Sequence, residues 1–310
     1  MPIAAVIGAG LIGRSWAMVF ARSGWDVRLT DPLPAARKAA PALIRAALKV
    51  QAAHGLARDA AKAAARITIV KTLEDAVRGA DLAQECGPET LEVKRDLFAR
   101  LDAAAKPGAI LASSTSAIVA SLYTGQLKGR ARCLVAHPVN PPHLVPVVEL
   151  CGAPWTSKAT LAKARKIYAS LGQAPVLVNK EIEGFILNRL QGAVLAEAFR
   201  LVSEGYVSPQ DLDRTIKDGL GLRWSFMGPF ETIELNAPGG IPDYVERYMG
   251  LYRRLAAEPA SPEAYSPANA KRIIAAWGGT PDTSELLRKT RWRDRRLAAL
   301  AAHKARQRDF

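Results

Sequence analysis

The stretch PIAAVIGAGLIGRSWAMVFARSGWDVRLTD, residues 2–31, restricts the fold more than any other part of the chain. A short apolar run closes on Gly8, Gly10 and Gly13, a helical spacing of apolar residues follows from Leu11 to Ser23, and a second apolar run ends at Asp31. The alternation then continues. RITIVKT, DLAQEC, AILASS and CLVAHP read as further strands, with helical patterns between most of them, as from Glu89 to Ala105. Pro34 to Ala65 is alanine-rich at helical spacing, which predicts one long helix or a helical hairpin. VPVVEL and APVLVN close this part. Strands alternating with helices predict a doubly wound, mainly parallel sheet. After Glu183 the strand signals stop and helices dominate, beginning with GFILNRLQGAVLAEAFRLVSEG. The reading is therefore an α/β domain over 1–181 followed by an all-α domain over 182–310.

Composition narrows the class. The chain has 310 residues, 49% hydrophobic and 23% charged, as in ordinary globular proteins large enough to bury a core without staples. No apolar run reaches the ~18 residues that span a bilayer, and PIAAVIGAG opens at once as a strand rather than a leader; the expected location is the cytoplasm. Cys86, Cys133 and Cys151 each lie in apolar runs and read as small buried hydrophobes, so neither disulfide nor metal is expected. The net charge of +14 raises nucleic-acid binding. Aromatics are only 6%, however, and the densest positive stretch, RKTRWRDRRLAALAAHKARQRDF, reads first as the solvated face of a helix.

Gly8, Gly10 and Gly13 form G-x-G-x-x-G between a strand and a helix, the context in which this spacing carries a mechanism. The first glycine permits the tight turn, the second lets the backbone approach a pyrophosphate, and the third lets helix and strand pack closely. The helix start, with Leu11 and Ile12, offers free N–H groups and a positive dipole end to the phosphates. Asp31, closing the second strand, can accept from both ribose hydroxyls and repels a 2′-phosphate, which favours NAD(H) over NADP(H). Arg28 and Arg37 are nearby cations that argue the other way. The first domain is thus predicted to be of Rossmann type.

An enzyme that passes hydride from an alcohol to a nicotinamide needs a group to take the hydroxyl proton, and histidine fits because it titrates near working pH. Of four histidines, His54 and His303 lie in helical, charged surroundings. His143, in the proline loop of LVAHPVNPPHLVPVVEL, is expected to be exposed there, with a substrate contact as the alternative. His137 ends a strand, where open α/β sheets place their ligands. If the chain folds back at Pro141–Pro142, Glu149 returns beside His137, where a carboxylate would fix the imidazole tautomer.

Taken together, GAGLIGRSWA, ECGPETLEVK, SSTSAI, AHPVNPPHLVPVVEL, KEIEGFILNRLQ, GLGLRWSFMGPFETIELNA and RWRD resemble the 3-hydroxyacyl-CoA dehydrogenase superfamily over essentially the whole chain. Within it they look most like the L-gulonate 3-dehydrogenase (lambda-crystallin) branch. The resemblance implies His137 as general acid/base with Glu149 as its orienting partner. It implies Ser116 as a hydrogen-bond donor to the substrate oxygen, and Asn188 as a group holding the reacting carbonyl. Glu89 and Lys94 would lie near the nicotinamide ribose, and Asn140 matches the asparagine after the catalytic histidine. It also implies a homodimer. Read from the residues alone, Ser116 could instead cap a helix, and Glu89 and Lys94 could be a helix-start acid and a solvated lysine.

The expected activity is NAD-dependent oxidation of the 3-hydroxyl of a small L-hydroxy acid, L-gulonate first. The acyl-CoA branch carries bulky aromatics after its histidine where this chain has Pro138 and Val139, and GLGLRWSF is also similar to carnitine dehydrogenases. A substrate carboxylate needs a cation, and Arg223, between Leu222 and Trp224, is the candidate; a salt bridge to Asp218 or Glu231 is the alternative. Asn236 is a candidate for a hydroxyl contact. A non-catalytic, NADH-binding structural protein is the reading from a different class, and the intact Ser116, His137, Glu149 and Asn188 set argues against it.

Overall fold

The structure is a computed structural model that describes residues 1–307. Its first part runs β1 (Ile3–Ile7), α1 (Leu11–Arg22), β2 (Asp26–Thr30), α2 (Pro34–Ala53), α3 (Ala60–Ala65), β3 (Ile67–Ile69), α4 (Leu73–Val77), β4 (Leu82–Glu85), α5 (Leu91–Ala104), β5 (Ile110–Ser113), α6 (Ser121–Thr124), β6 (Cys133–Pro138), β7 (Val147–Gly152), α7 (Lys158–Ser170) and β8 (Ala174–Val178). The eight strands make one sheet in the order β3-β2-β1-β4-β5-β6-β7-β8. β6 and β7 pair antiparallel, and every other neighbouring pair in this sheet is parallel. This is the doubly wound, mainly parallel α/β architecture.

The central strands are apolar on both faces because helices cover both. Ala4 and Val6 of β1, with Ile110, Ala112, Leu134 and Ala136, pack on Trp16 and Phe20 of α1, Ile44 and Leu48 of α2, and Tyr168 of α7. The alternate residues Ala5 and Ile7, with Ala83, Leu111, Cys133 and Val135, pack on Leu73, Phe98, Leu101 and Tyr123. The three cysteines are free; Cys133 and Cys151 are buried and Cys86 is half-buried. Between α2 and α3 the chain turns through Gly55 at φ +74°, and Asp59 caps α3 by accepting from the Lys62 N–H, so Pro34–Ala65 is a pair of helices.

The sheet places the site. From β1 the chain winds outward to β2 and β3, then crosses back so that β4 lies on the other side of β1. The carboxyl ends of β1 and β4 flank this switch point, the position where open α/β sheets hold ligands. β4, β5 and β6 run parallel, with Glu85 opposite Ser113 and Ser113 opposite Val135. Glu85 and Ser113 therefore end β4 and β5, and His137, the last residue but one of neighbouring β6, lies at the same edge.

Compactness divides the chain into two units. The first is Met1–Asn188 together with the described residues from Lys289 on; the second is Arg189–Arg288. The sequence boundary after residue 181 lies in the turn before α8 (Leu187–Ser203), whereas the packing boundary falls within the first turn of that helix. The second unit is helical. It continues through α9 (Pro209–Arg214), a wide turn over Thr215–Leu220, α10 (Gly221–Trp224), α11 (Pro229–Leu235), α12 (Gly240–Ala256), α13 (Pro267–Trp277) and the start of α14 (Thr283–Lys304).

The rest of α14 is a helix with a solvated basic face, as expected, and its opposite face is packed. Ala298 is fully buried, and Thr290, Arg293, Asp294, Leu297, Ala301 and Ala302 are half-buried around it. Their spacing is that of one helix face, and Arg291, Arg295 and Arg296 are exposed on the other side. Among the described residues, no helix is long and apolar enough to cross a membrane.

Candidate active site

The glycine turn shows two kinds of constraint. A Cβ on Gly13 would lie 1.7 Å from the Gly8 carbonyl oxygen, and one on Gly8, which sits at φ +110°, would lie 2.5 Å from the Cys86 oxygen. Protein atoms exclude side chains at both. Around Gly10 an added Cβ would meet nothing within 4 Å, and Gly10 starts α1 with no side chain capping its N–H groups. That open space against bare helix N–H groups fits a pyrophosphate. Leu11 is exposed at the helix start, and Ile12 packs onto the core.

Asp31 directly follows β2 and ties the turn: one carboxylate oxygen accepts from the Ala9 N–H at 2.7 Å and the other from the Leu33 N–H at 2.9 Å. Arg37 donates to the carbonyls of Asp31 and Pro32, and Arg28 to those of Asp75 and Arg78. Both arginines thus have main-chain partners.

His137 and Glu149 are cross-strand partners in the antiparallel β6–β7 pair. His137 Nδ1 lies 2.7 Å from one Glu149 carboxylate oxygen, and both side chains are buried. The other oxygen accepts from the Ile186 N–H at 2.8 Å and the Leu187 N–H at 3.0 Å, the opening of α8. Gly184 at φ +75° and Phe185 at φ +47° turn the chain so that these two N–H groups converge on the carboxylate. Burial raises the Glu149 pKa; the hydrogen bonds from His137, Leu187 and Ile186 outweigh it, and the net shift is downward. An ionised acceptor at Nδ1 requires Nδ1 to carry its proton, which leaves Nε2 of the neutral ring as a base. The fully buried Phe185 ring packs 5.4 Å from the imidazole, centroid to centroid, and fixes its plane.

Ser116 lies in the loop after β5, and α6 does not begin until Ser121, so Ser116 caps no helix. Its backbone is held on both sides. Its N–H donates to Glu89 at 2.9 Å, and its carbonyl accepts from the Asn188 side-chain amide at 2.8 Å. Lys94 is buried rather than solvated. Its ammonium donates to both Glu85 carboxylate oxygens at 2.9 Å and to the Gly87 carbonyl at 3.3 Å, with Glu89 at 3.8 Å. Sequence reasoning gave Glu85 no role; the available signal was an acid closing an apolar strand.

His143 corrects the expectation of an exposed loop residue. The proline turn lays it against α1, where Nδ1 meets the Ser15 hydroxyl at 2.9 Å and its carbonyl accepts from Arg22 at 2.8 Å. Burial pushes its pKa down to about 4; Arg22 and Arg293 add to the shift and Asp294 opposes it. Asn140 is exposed, two residues beyond the end of β6. In the second unit, the Arg223 Nε is buried with no hydrogen-bond partner among the described residues. Asp218 pairs instead with Lys217, and Glu231 accepts from the Gly228 N–H. Asn236 is exposed at the end of α11.

Residues 3–182 match the family model for the 3-hydroxyacyl-CoA dehydrogenase NAD binding domain, and residues 184–270 match the C-terminal domain model of the same family. The chain belongs to the 3-hydroxyacyl-CoA dehydrogenase family. It is an NAD-dependent oxidoreductase. Among its relatives, the lambda-crystallin homolog of Bos taurus is 45% identical over 303 residues, 96% of this chain and 94% of that protein. An L-carnitine dehydrogenase of Streptomyces coelicolor is 39% identical over 266 residues, 84% of this chain and 83% of that one. Among solved structures, an NAD-dependent 5-formyl-3-hydroxy-2-methylpyridine 4-carboxylic acid 5-dehydrogenase covers 99% of this chain and 100% of its own, with a TM-score of 0.86 and 28% identity.

Proposed function

We propose that this dehydrogenase oxidises the 3-hydroxyl of a small L-hydroxy acid, with L-gulonate to 3-dehydro-L-gulonate as the leading case. The observation that carries the reading is the buried His137–Glu149 pair, because it leaves Nε2 as a base. Gly8, Gly10, Leu11, Ile12, Gly13 and Asp31 would hold NAD, with Glu89, Lys94 and Asn140 assigned near its nicotinamide end. Bound NAD supplies the acceptor for the hydride that leaves the carbinol carbon. His137 Nε2 takes the hydroxyl proton, and the Glu149 carboxylate stabilises the imidazolium that results. Ser116 and Asn188 hold the oxygen as it becomes a carbonyl, and the product is a 3-oxo acid.

In this reading Arg223 is the partner of the substrate carboxylate and Asn236 contacts a substrate hydroxyl. A buried guanidinium nitrogen without a partner supports the first. Arg223→Met should lower kcat/KM for the hydroxy acid by about 30-fold or more, mostly through KM; unchanged kcat/KM in a folded variant would remove Arg223 from the site. The similarity to an L-carnitine dehydrogenase favours a second reading, L-carnitine, which is also a 3-hydroxy acid with a free carboxylate. Initial rates of NAD reduction with L-gulonate, L-carnitine, L-3-hydroxybutyrate and 3-hydroxybutyryl-CoA separate these. The proposal expects the highest kcat/KM with L-gulonate, and a clear preference for the acyl-CoA would overturn the substrate class. As the family implies, the enzyme would act as a cytoplasmic homodimer, which light scattering tests for the oligomer.

A further inference from the structure

Glu85, Lys94 and Glu89 form a graded set of charges that leads from the sheet core to the Ser116 loop. Glu85 ends β4 with a fully buried side chain, Lys94 is 1% exposed, and the Glu89 side chain is 41% exposed. Every polar direction of the inner pair is occupied. Glu85 accepts from Lys94 at both oxygens, from the Gly87 N–H at 2.6 Å and from the Ser113 hydroxyl at 2.6 Å. A Cβ on Gly87 would lie 2.8 Å from Leu97 and 3.0 Å from the Glu85 carboxylate, so this approach needs glycine.

Two routes run from Glu85 to the loop. In one, the Ser113 hydroxyl oxygen accepts from the Thr115 N–H at 3.2 Å. In the other, the Lys94 ammonium faces Glu89 at 3.8 Å. One Glu89 oxygen then accepts from the Thr115 hydroxyl, from the Ser116 N–H at 2.9 Å and from the Ala117 N–H at 3.2 Å. Three donors within three consecutive residues converge on one carboxylate oxygen, so the loop backbone is built around that charge. The Thr115 hydroxyl in turn accepts from the Ile118 N–H at 2.9 Å.

We propose that Glu89 is a positioning residue for Ser116, held in place by the buried Glu85–Lys94 pair, and that the three set the substrate loop before any ligand binds. This rests on the reading of Ser116 as a substrate contact, and it gives Glu89 work that a ribose contact would not. Charge-assisted hydrogen bonds to backbone N–H groups are among the stronger ones. Their loss should free the loop locally while the fold, which rests on the two apolar cores, persists.

Glu89→Gln tests this with two readouts. In the ligand-free protein, hydrogen exchange at the Ser116 and Ala117 amides should accelerate about tenfold or more, since one oxygen of an amide accepts more weakly than a carboxylate. In kinetics with the best hydroxy acid of the panel, Glu89→Gln and Ser116→Ala should each lower kcat/KM, and the double variant should be no worse than the poorer single one. Non-additivity of that kind marks residues acting through one another. Unchanged exchange at Ser116 and Ala117 would overturn the proposal, and so would losses that simply add. If no compound of the panel is turned over, the substrate reading fails, while the exchange measurement still decides whether Glu89 holds the loop.

Discussion

Burial holds the His143 imidazole neutral down to about pH 4, while in the unfolded chain it titrates at about 6.5. Between these values the unfolded state binds the proton that the folded state refuses, so stability falls as pH drops through that window. At 1.36 kcal/mol per pH unit the difference is worth about 3 kcal/mol, present in full above about 6.5. His143→Asn should flatten the fall in denaturation midpoint between pH 7 and pH 4.5 relative to the native protein. Parallel pH profiles for the two would contradict the burial account. His143 was legible as a histidine in a proline loop, but a single sequence does not show that the loop lies down on α1 and meets Ser15. The same limit applies to Lys94. A lysine in a helix reads as solvated, and its buried partner Glu85 lies at the end of a strand nine positions earlier. His137 and Glu149 could be read together because the turn at Pro141–Pro142 returns the chain by antiparallel pairing, which puts them opposite each other.

At the scale of elements, each of the eight strands lies on an apolar run, and those of β1, β2, β4, β5 and β7 end at a glycine, an acid or a serine. A strand buried on both faces needs a continuous apolar run, and such runs are visible. The glycine turn gives an element-level prediction, because its members are restricted for different reasons. Gly13→Ala drives a methyl into the Gly8 carbonyl and separates α1 from β1, at a cost of ~3 kcal/mol or more. Gly10→Ala meets no protein atom, and Gly10 already sits at φ −66°, which any residue adopts. Its stability should stay within about 1 kcal/mol of the native protein. Its Kd for NADH should rise at least tenfold, on the order of the 1.4 kcal/mol that a crowded phosphate contact costs. Thermal denaturation and NADH fluorescence titration of the two variants check this. A Gly10→Ala protein that binds NADH normally would remove the pyrophosphate from that position.

For the whole molecule, the tail is a helix whose solvated face the sequence shows and whose packed face it does not. Thr290, Arg293, Asp294, Leu297, Ala298, Ala301 and Ala302 form a half-buried face that includes an arginine, an aspartate and three alanines, so its apolar signal is weak. Arg293 and Asp294 pair with each other at 2.8 Å, and both side chains stay partly exposed. Because the described residues from Lys289 on belong to the first unit, a chain ending at Arg288 should lose stability in the NAD-binding unit itself. A loss of a few kcal/mol corresponds to a Tm lower by roughly 5 °C or more at this size. An unchanged Tm would mean that the tail contributes nothing to that unit. The central claim, that this family member runs alcohol oxidation from the His137–Glu149 pair, is tested most directly by one measurement: kcat for NAD reduction by the preferred hydroxy acid in His137→Asn, with NADH affinity determined on the same sample. kcat should fall by roughly 10²–10⁴-fold with NADH binding retained. A variant that binds NADH and keeps more than about a tenth of the native kcat, with chemistry rate-limiting, would contradict it.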